Sequence, residues 1–234
     1  MSRKERKTML EERKIGVVIV AGGSGSRMGS AVPKQFLKVG GDYVLARTLK
    51  AFLPVAHDIV VVLPADQQER WREICVECGL EGTHRTAVGG ATRFHSVRAG
   101  VAALGECALV AIHDGVRPLV SRAMIERGVA CAVQSGSAVP VVSAVDSFRI
   151  VEEGELKVVD RSQLRAIQTP QIFDAELLHR AYECEPEERF TDDATVVEGL
   201  GVKLAFYEGE RRNIKITTPE DLVVAEAYLR AEAL

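Results

Sequence analysis

The chain has 234 residues, of which 47% are hydrophobic and 27% are charged. These proportions are typical of a globular protein and exclude a disordered chain, a collagen and a small disulfide-stabilised scaffold. The formal net charge is −3, from 30 Lys and Arg against 33 Asp and Glu, so the chain lacks the basic excess of a nucleic-acid-binding domain. Its five cysteines, an odd number, favour a reducing compartment, and we expect a cytoplasmic protein.

No apolar run approaches the ~18 residues that a membrane-spanning helix needs, so we expect no membrane partner. Residues 1–14 mix basic and acidic side chains and contain no hydrophobic segment. Such a segment differs from a secretion signal, and we expect a flexible, charged N-terminal extension there.

From residue 15 onward, short apolar segments alternate with longer segments of helical periodicity. Strands are predicted at 15–21, 58–63, 108–113 and 138–142, and helices at 43–52, 65–78, 93–104 and 121–133. Because these strand segments are continuously apolar, they predict a mostly parallel sheet that helices cover on both faces. Further helices are predicted at 174–184, at 192–200 and from Thr218 onward, and a last strand at 203–207.

Residues 147–160 break this alternation. Two short alternating segments flank the turn Glu153-Gly154, which is a signal for a β-hairpin. An isolated hairpin is only marginally stable in water, so this one either lies on the domain or packs against another chain. We therefore expect one α/β domain over residues 15–234, with a protruding β-arm at about 144–163.

A glycine-rich loop follows the first strand, with four glycines between residues 22 and 29. Such a loop lets backbone N–H groups approach a ligand and form an anion-binding nest, to which Arg27 and Lys34 add cationic donors. The loop lacks the Lys-Ser/Thr of a Walker A motif, and its last glycine comes one residue too late for a dinucleotide-binding fingerprint. A plain glycine turn is the alternative interpretation.

Three windows of the chain, at 14–41, 82–105 and 161–173, contain no acidic residue. In a chain of net negative charge, this pattern indicates an anionic ligand. The basic residues in these windows include Lys14, Arg27, Lys34, Lys38, Arg85, Arg93, Arg98, Arg161 and Arg165.

Two other segments predict ligand contacts. Gly90 lies in a Gly-Gly turn where a flat base would approach the backbone, and Ser96 offers a hydroxyl to the base or ribose. Thr92 either joins this site or only caps the next helix.

Asp114 follows a strand and is well placed to hold Mg²⁺, directly or through water. Arg117 is a candidate phosphate ligand, or it forms a salt bridge with Asp114.

Lys215 interrupts an apolar segment that is typical of a strand. A buried lysine is costly unless it meets an anion, so Lys215 is a strong candidate phosphate ligand. The pair Cys75-x-x-Cys78 lies in a predicted helix without a second pair of ligands, and we expect structural cysteines rather than a metal or redox site.

Six ordered segments resemble one family, the 2-C-methyl-D-erythritol 4-phosphate cytidylyltransferases of the non-mevalonate isoprenoid pathway. The similarity extends from about Ile15 to the C-terminus and rests on AGGSGSRMG with PKQFL, VGGATRFHSV, HDGVRP, DRSQLRAIQTPQIF, TDDATVVEGLG and NIKITTPEDL. The resemblance implies a Rossmann-like, three-layer α/β domain whose β-arm exchanges across a homodimer. It also implies an enzyme that transfers CMP from CTP to methylerythritol phosphate, with Mg²⁺ as the expected cofactor.

The resemblance assigns roles to individual residues. It places CTP against Ala21, Gly22, Gly23, Gly25, Arg27 and Lys34, with Arg27 and Lys34 on the triphosphate, and it places the cytidine against Gly90 and Ser96. The methylerythritol phosphate site would contain Asp114, Arg117, Thr169 and Lys215, with Arg161 reaching it from the partner's arm. The expected catalytic residues are Arg27, Lys34 and Lys215. Some family members carry an acid where this chain has Ala91.

A phosphate monoester has a second pKa of about 6, so the attacking group is largely ionised at pH 7 and needs no general base. Positioning and charge neutralisation are therefore the expected sources of catalysis. A ribitol-5-phosphate cytidylyltransferase shares the CTP loop and the HD-x-x-RP segment and is the nearest alternative. A dinucleotide-dependent oxidoreductase, which would need an acid about 20 residues after the loop, and a non-catalytic nucleotide sensor fit less well.

Overall fold

An eight-stranded sheet lies at the centre of residues 14–22 and 32–232, the part of the chain that this computed structural model describes. In chain order the strands are β1 (Ile15–Val20), β2 (Lys38–Val39), β3 (Asp42–Tyr43), β4 (Asp58–Leu63), β5 (Arg85–Val88), β6 (Leu109–Asp114), β7 (Ser137–Ser143), β8 (Arg149–Glu152), β9 (Glu155–Val158), β10 (Arg165–Ile167), β11 (Gln171–Asp174) and β12 (Phe206–Glu208). Strands β2 and β3 form a small separate hairpin, and β8 and β9 form another.

The order of the large sheet is β5–β4–β1–β6–β11–β7, and β10 and β12 also pair with β7. Parallel pairs join β5, β4, β1 and β6, and a further parallel pair joins β7 and β12. Strand β11 is antiparallel to β6 and β7, and β10 is antiparallel to β7. The predicted mostly parallel sheet is confirmed, with β10 and β11 running against the other strands.

The helices lie close to their predicted positions. They are α1 (Val44–Phe52), α2 (Gln68–Cys78), α3 (Arg93–Ala103), α4 (Arg122–Ser135), α5 (Ala175–Ala181), α6 (Asp193–Glu198) and α7 (Pro219–Glu232). The predicted helix 65–78 begins as a 3-10 turn at Ala65–Gln67 before α2. Side chains of Thr92, Ser121, Asp174 and Asp192 accept backbone N–H groups at the starts of α3, α4, α5 and α6, which explains where these helices begin.

Alternate residues of the buried strands face two different hydrophobic cores, because successive strand side chains point to opposite faces. On one face, Val17 and Ile19 pack in a core that contains Leu49 of α1 and Trp71 of α2. On the other face, Val18 packs in a core with Phe94 and Val97 of α3 and with Leu178 of α5. This arrangement gives three layers and confirms the Rossmann-like α/β architecture, with helices on both faces of the sheet.

Helix α3 lies unusually close to the sheet at Gly100. A Cβ atom at this glycine would lie 2.4 Å from Cγ1 of Val18 and 2.8 Å from Cγ2 of Val62. The missing side chain therefore lets α3 approach β1 and β4, which brings the start of α3 to the carboxyl ends of those strands.

Strands β8 and β9 confirm the predicted hairpin. Its turn residues Glu153 and Gly154 have φ values of 53° and 83°, as a two-residue turn of this kind requires. Val151 pairs with Leu156 in the hairpin register, and these side chains are 71% and 69% exposed. The arm thus presents apolar side chains to its surroundings.

Five strands were not predicted from the sequence, namely β2, β3, β5, β10 and β11. Strand β11 ends at Asp174, which also caps α5, so the first residue of the predicted helix 174–184 belongs to the sheet. The predicted strand 203–207 is found as β12, displaced toward Glu208.

Except for Lys14, the predicted N-terminal extension lies outside the described residues. Within residues 14–22 and 32–232, no helix combines the length and the apolar character needed to cross a membrane.

Candidate active site

A cavity of about 270 Å³ opens at the carboxyl ends of β1, β5 and β6. This is where ligands bind in open α/β sheets. Its described lining consists of Val20, Ala21, Gly22, Lys34, Gln35, Gly90, Ala91, Thr92, Arg93, Ser96, Asp114, Val116 and Lys215. Seven predicted site residues therefore meet in one cavity, namely Ala21, Gly22, Lys34, Gly90, Ser96, Asp114 and Lys215. The predicted residues Gly23, Gly25 and Arg27 lie outside the described residues.

The first wall of the cavity continues β1. The Ala21 N–H donates to the Val62 carbonyl at 2.8 Å, and the Ala21 carbonyl accepts from Nε2 of the buried Gln35 at 3.0 Å. Nε2 of Gln35 also donates to Oε1 of Gln67 at 2.6 Å. Gln35 therefore fixes the turn at Lys34–Phe36 against the end of β1. This role was missed at the sequence level, because it depends on a contact with the distant Gln67.

Lys34 lies in that same turn and is only 9% exposed. A lysine in this position presents its charge at the cavity wall rather than to open solvent. The position fits the predicted contact with a phosphate group.

The second wall is the loop that enters α3. The hydroxyl of Ser96 accepts the Gly90 N–H at 3.2 Å and donates to the Thr92 carbonyl at 3.0 Å. Thr92 is the N-cap of α3, which was one of its two predicted roles, and it also lines the cavity. Because both hydrogen bonds of Ser96 go to the loop, this buried hydroxyl shapes the loop as well as facing the cavity.

Asp114 is the last residue of β6, and three cations surround its carboxylate. Oδ2 lies 3.0 Å from Nζ of Lys215 and 3.2 Å from Nε of Arg117, while Oδ1 lies 3.8 Å from Nε of Arg93. Burial alone would raise the pKa of Asp114, but Arg93, Lys215 and Arg117 together hold it well below the usual range of a carboxyl. Asp114 is therefore ionised throughout the neutral range.

The prediction that Lys215 is buried within a strand is wrong. The residue lies in an irregular segment rather than in a strand, and its side chain is 42% exposed. The neighbouring Ile214 and Ile216 are apolar because they pack in a small core with Leu222 and Val116, not because they lie in the sheet. Lys215 nevertheless reaches the cavity, where its partner is Asp114.

Arg117 and Thr169 lie behind Asp114 rather than in the cavity wall. Arg117 donates from Nε to Asp114 and from Nη1 to the Asn213 carbonyl at 2.8 Å, so the predicted salt-bridge alternative is present. The Thr169 hydroxyl oxygen accepts the Asp114 N–H at 3.1 Å and lies 2.9 Å from Nδ1 of His113. Both residues hold Asp114 and the segment leading to Lys215 in place.

Two predicted cationic residues point elsewhere. Arg161 lies at the base of the arm, donates to the Val145 carbonyl at 2.8 Å and is not among the described residues that line the cavity. Arg85 pairs with Asp58 at the amino ends of β5 and β4. The expectation that Arg85 contributes to the anion site is therefore wrong, since the site lies at the opposite end of these strands.

The side chains around Asp114 show whether it could coordinate a divalent cation directly. The described lining supplies one carboxylate, Asp114, and its oxygens already lie beside three cationic side chains. Among the described residues, no cluster of three or more His, Cys, Asp or Glu side chains has the geometry of a metal site. Direct coordination of Mg²⁺ by Asp114 does not fit this arrangement.

Comparisons with known proteins agree with this geometry. Residues 15–231 match the family model described as 2-C-methyl-D-erythritol 4-phosphate cytidylyltransferase. A protein of that name from Bacteroides fragilis is 51% identical over 214 residues, which is 91% of this chain and 98% of the relative. One from Geobacter metallireducens is 41% identical over 91% of this chain and 96% of the relative.

Solved structures show the same fold. The 4-diphosphocytidyl-2C-methyl-D-erythritol synthase from Anaerococcus prevotii matches with a TM-score of 0.81 and 30% identity, over 95% of this chain and 99% of that one. The 2-C-methyl-D-erythritol 4-phosphate cytidylyltransferase from Thermus thermophilus matches with a TM-score of 0.76 and 37% identity, over 93% of this chain and 99% of that one. Together with the cavity, these matches show that the chain belongs to the 2-C-methyl-D-erythritol 4-phosphate cytidylyltransferase family.

Proposed function

We infer that this chain transfers CMP from CTP to 2-C-methyl-D-erythritol 4-phosphate in isoprenoid precursor biosynthesis. The products are 4-diphosphocytidyl-2-C-methyl-D-erythritol and pyrophosphate. Beyond family membership, one observation carries the inference: Lys34, Asp114 and Lys215 come from three separate segments and line the same cavity. A reaction between two phosphate-bearing substrates needs cations on both sides of the reacting phosphorus.

A phosphate oxygen of the acceptor attacks the α-phosphorus of CTP, and the bond to the β-phosphate oxygen breaks as pyrophosphate leaves. The acceptor phosphate is largely ionised at pH 7, so the step needs no proton acceptor. Arg27 and Lys34 neutralise charge that develops toward the pyrophosphate, and Lys215 aligns the attacking phosphate with the α-phosphorus. Catalysis thus comes from positioning and from fixed charge.

The nucleotide occupies the part of the cavity with the smallest side chains. Gly22, Gly23 and Gly25 offer backbone N–H groups to the triphosphate, and Gly90 and Ser96 contact the cytidine. Ala21 lines the cavity on the nucleotide side, but its own N–H is already bonded to the Val62 carbonyl. With Ala91 in the lining, this chain has no carboxylate at that position for the cytosine amino group. Backbone groups would therefore carry more of the discrimination between cytosine and uracil.

The proposed acceptor site is built around Asp114 and Lys215, with Arg117 and Thr169 fixing them from behind. Magnesium is the proposed cofactor and would enter with CTP, since Mg²⁺ is commonly held by substrate phosphates and keeps several waters. Asp114 would contact such an ion only through water.

The arm supports the proposal of a homodimer. Val151, Leu156 and Val158 share one face of the hairpin and are 71%, 69% and 77% exposed, which favours docking against another apolar surface. In such a dimer, Arg161 would reach the acceptor site of the partner. All five cysteines are free thiols, which suits the proposed cytoplasmic location.

The test is a pyrophosphate-release assay that crosses CTP, UTP and ATP with methylerythritol phosphate and ribitol 5-phosphate. We expect turnover with CTP and methylerythritol phosphate. Turnover with ribitol phosphate alone would reverse the choice of acceptor, and no pyrophosphate from any pair would favour a sensor or another enzyme class. Lys34→Ala should lower kcat by ~10²–10³, by analogy with the loss of one oxyanion donor. Near wild-type turnover in that variant would contradict the mechanism.

A further inference from the structure

The Nη atoms of Arg93 are held by an acidic residue, Asp193, that takes no part in the proposed reaction. Its Nη1 and Nη2 atoms lie 2.8 Å and 2.7 Å from the two carboxylate oxygens of Asp193, which is fully buried at the start of α6. The Tyr182 hydroxyl donates to Oδ1 of Asp193 at 2.6 Å. A two-point pair of this kind fixes the plane of the guanidinium as well as its position.

This clamp leaves Nε of Arg93 facing the active-site cavity. Nε lies 3.8 Å from Oδ1 of Asp114, on the side of the carboxylate opposite to Lys215. The Arg93 side chain is 27% exposed and lines the cavity. Arg93 is therefore a fixed positive charge at one oxygen of Asp114.

The three cations around Asp114 differ in how firmly they are held. Arg93 is clamped by Asp193, and Arg117, whose side chain is 11% exposed, is tied to the Asn213 carbonyl. The Lys215 side chain is 42% exposed, and Asp114 is its only ion-pair partner within residues 14–22 and 32–232. Lys215 is thus the member of the cluster that can leave Asp114 at the lowest cost.

We propose that Asp193 and Arg93 form a positioning pair that keeps Asp114 neutralised while Lys215 turns from Asp114 to the acceptor phosphate. This proposal rests on the proposed function, in which Lys215 aligns that phosphate. A buried carboxylate that loses a cation without replacement is energetically unfavourable. If Arg93 neutralised Asp114 less well, Lys215 would therefore stay paired with Asp114. The clamp therefore sets how readily Lys215 becomes available to the acceptor.

The pair was not recognisable in the sequence, because Arg93 and Asp193 lie 100 positions apart. Asp193 belongs to the segment TDDATVVEGLG, which carried part of the family resemblance without an assigned role. The contact gives that segment a function in the acceptor half of the site.

The test measures separate KM values for CTP and for methylerythritol phosphate in Asp193→Asn and Arg93→Lys. Asp193→Asn removes the charge that holds Arg93, and Arg93→Lys keeps the charge but loses the planar fork. We expect the acceptor KM to rise at least about tenfold in both variants, as small misplacements of binding groups commonly cause, while the KM for CTP changes less than about twofold. Asp58→Asn is the matched control, since it disturbs an Arg–Asp pair at the far end of the sheet and should change neither KM.

Two results would overturn the proposal. One is an unchanged acceptor KM in variants that melt like the wild type, and the other is a parallel rise of both KM values, which would indicate general damage to the site. Loss of a buried partner can prevent folding. Tyr182→Phe is therefore measured as well, because it removes only the hydroxyl that supports Asp193. We expect an acceptor-specific rise of about threefold there, and a folded Tyr182→Phe with wild-type KM values would also overturn the proposal. A wild-type chain without turnover on this acceptor would instead refute the proposed function itself.

Discussion

The Thr169 hydroxyl oxygen accepts the backbone N–H of Asp114 at 3.1 Å, and this contact fixes the end of β6 from the segment that precedes β11. The same oxygen lies 2.9 Å from Nδ1 of His113, whose Nε2 lies 3.3 Å from the Arg117 carbonyl. The consistent assignment has His113 donating from Nε2 to Arg117 and accepting the Thr169 hydroxyl at Nδ1. The Thr169 hydroxyl thus contacts both Asp114 and His113, and His113 in turn contacts Arg117.

Thr169→Val tests this role, because valine matches the shape of threonine without its hydroxyl. The Asp114 N–H and Nδ1 of His113 would both be buried without a partner. We expect the free energy of unfolding to fall by about 1–3 kcal/mol, measured by urea denaturation, and kcat/KM for the acceptor to fall with it. Thr169→Ser, which keeps the hydroxyl, should restore most of both quantities. Wild-type stability and activity in Thr169→Val would contradict the role.

His113 links stability to pH. Burial lowers the pKa of this imidazole from 6.5 to about 3 in the folded chain. Between those values the unfolded chain binds a proton that the folded chain does not, so stability should fall as the pH is lowered from about 6.5 toward about 3, by at most ~1.4 kcal/mol per pH unit.

His113→Gln removes this titration. Urea denaturation at several pH values between 6.5 and 4.5 should show a smaller loss of stability on acidification than in the wild type. That window lies above the ordinary pKa of an aspartate, so the ionisation of Asp114 contributes little to the slope. His84, whose pKa burial also lowers, contributes equally to both proteins. Equal slopes in the two proteins would show that His113 is not the group responsible.

The buried parallel strands were predictable because β1, β4 and β6 are continuous apolar runs whose identity depends little on their neighbours. Strands β10 and β11 have three and four residues, too few to show a period, and they form only because β7 and β6 offer them edges. Lys215 was assigned to a strand because Ile214 and Ile216 alternate around it. Their burial in fact comes from packing near α7.

The site was predictable as a set of motifs but not as a set of contacts. Ala21, Lys34, Asp114 and Lys215 each carried a local signal, such as a strand end, a glycine-rich loop or an isolated lysine. Of the three cations around Asp114, only Arg117 had such a signal, because it lies three positions away and a salt bridge was one predicted alternative. Arg93 and Lys215 come from separate segments, Lys215 about 100 positions away, and only the fold brings them to Asp114.

Ser96 shapes the side of the cavity that we propose binds the nucleotide. Its hydroxyl bridges the Gly90 N–H and the Thr92 carbonyl, so Ser96→Ala should loosen this loop. We expect the KM for CTP to rise by about 3–10-fold with little change in kcat, since the loss of one or two hydrogen bonds weakens ground-state binding. Ser121→Ala is the matched control, because that hydroxyl organises the start of α4 and donates to Glu210, away from the cavity. An equal change of the CTP KM in both variants would refute a specific role for Ser96.

The apolar face of the hairpin arm is expected to determine whether the protein forms a dimer. Val151 is 71% exposed on the apolar face of the hairpin, and Val223 of α7 is 70% exposed on a different surface. If the apolar face docks on a partner chain, Val151→Lys places a charge in that interface and should shift the protein from dimer to monomer in analytical ultracentrifugation. Burying an unpaired charge in an interface is strongly unfavourable, which is the basis of the expected shift.

Val223→Lys introduces the same charge at a matched exposure and should leave the assembly unchanged. Because Arg161 would act across the dimer, Val151→Lys should also lower kcat/KM for the acceptor by at least about tenfold, while the KM for CTP, which depends on one chain, stays near the wild-type value. A Val151→Lys protein that sediments as a dimer would contradict docking through this face. A monomeric wild type with full activity would remove the need for Arg161 from a partner and would return the arm to a purely local role.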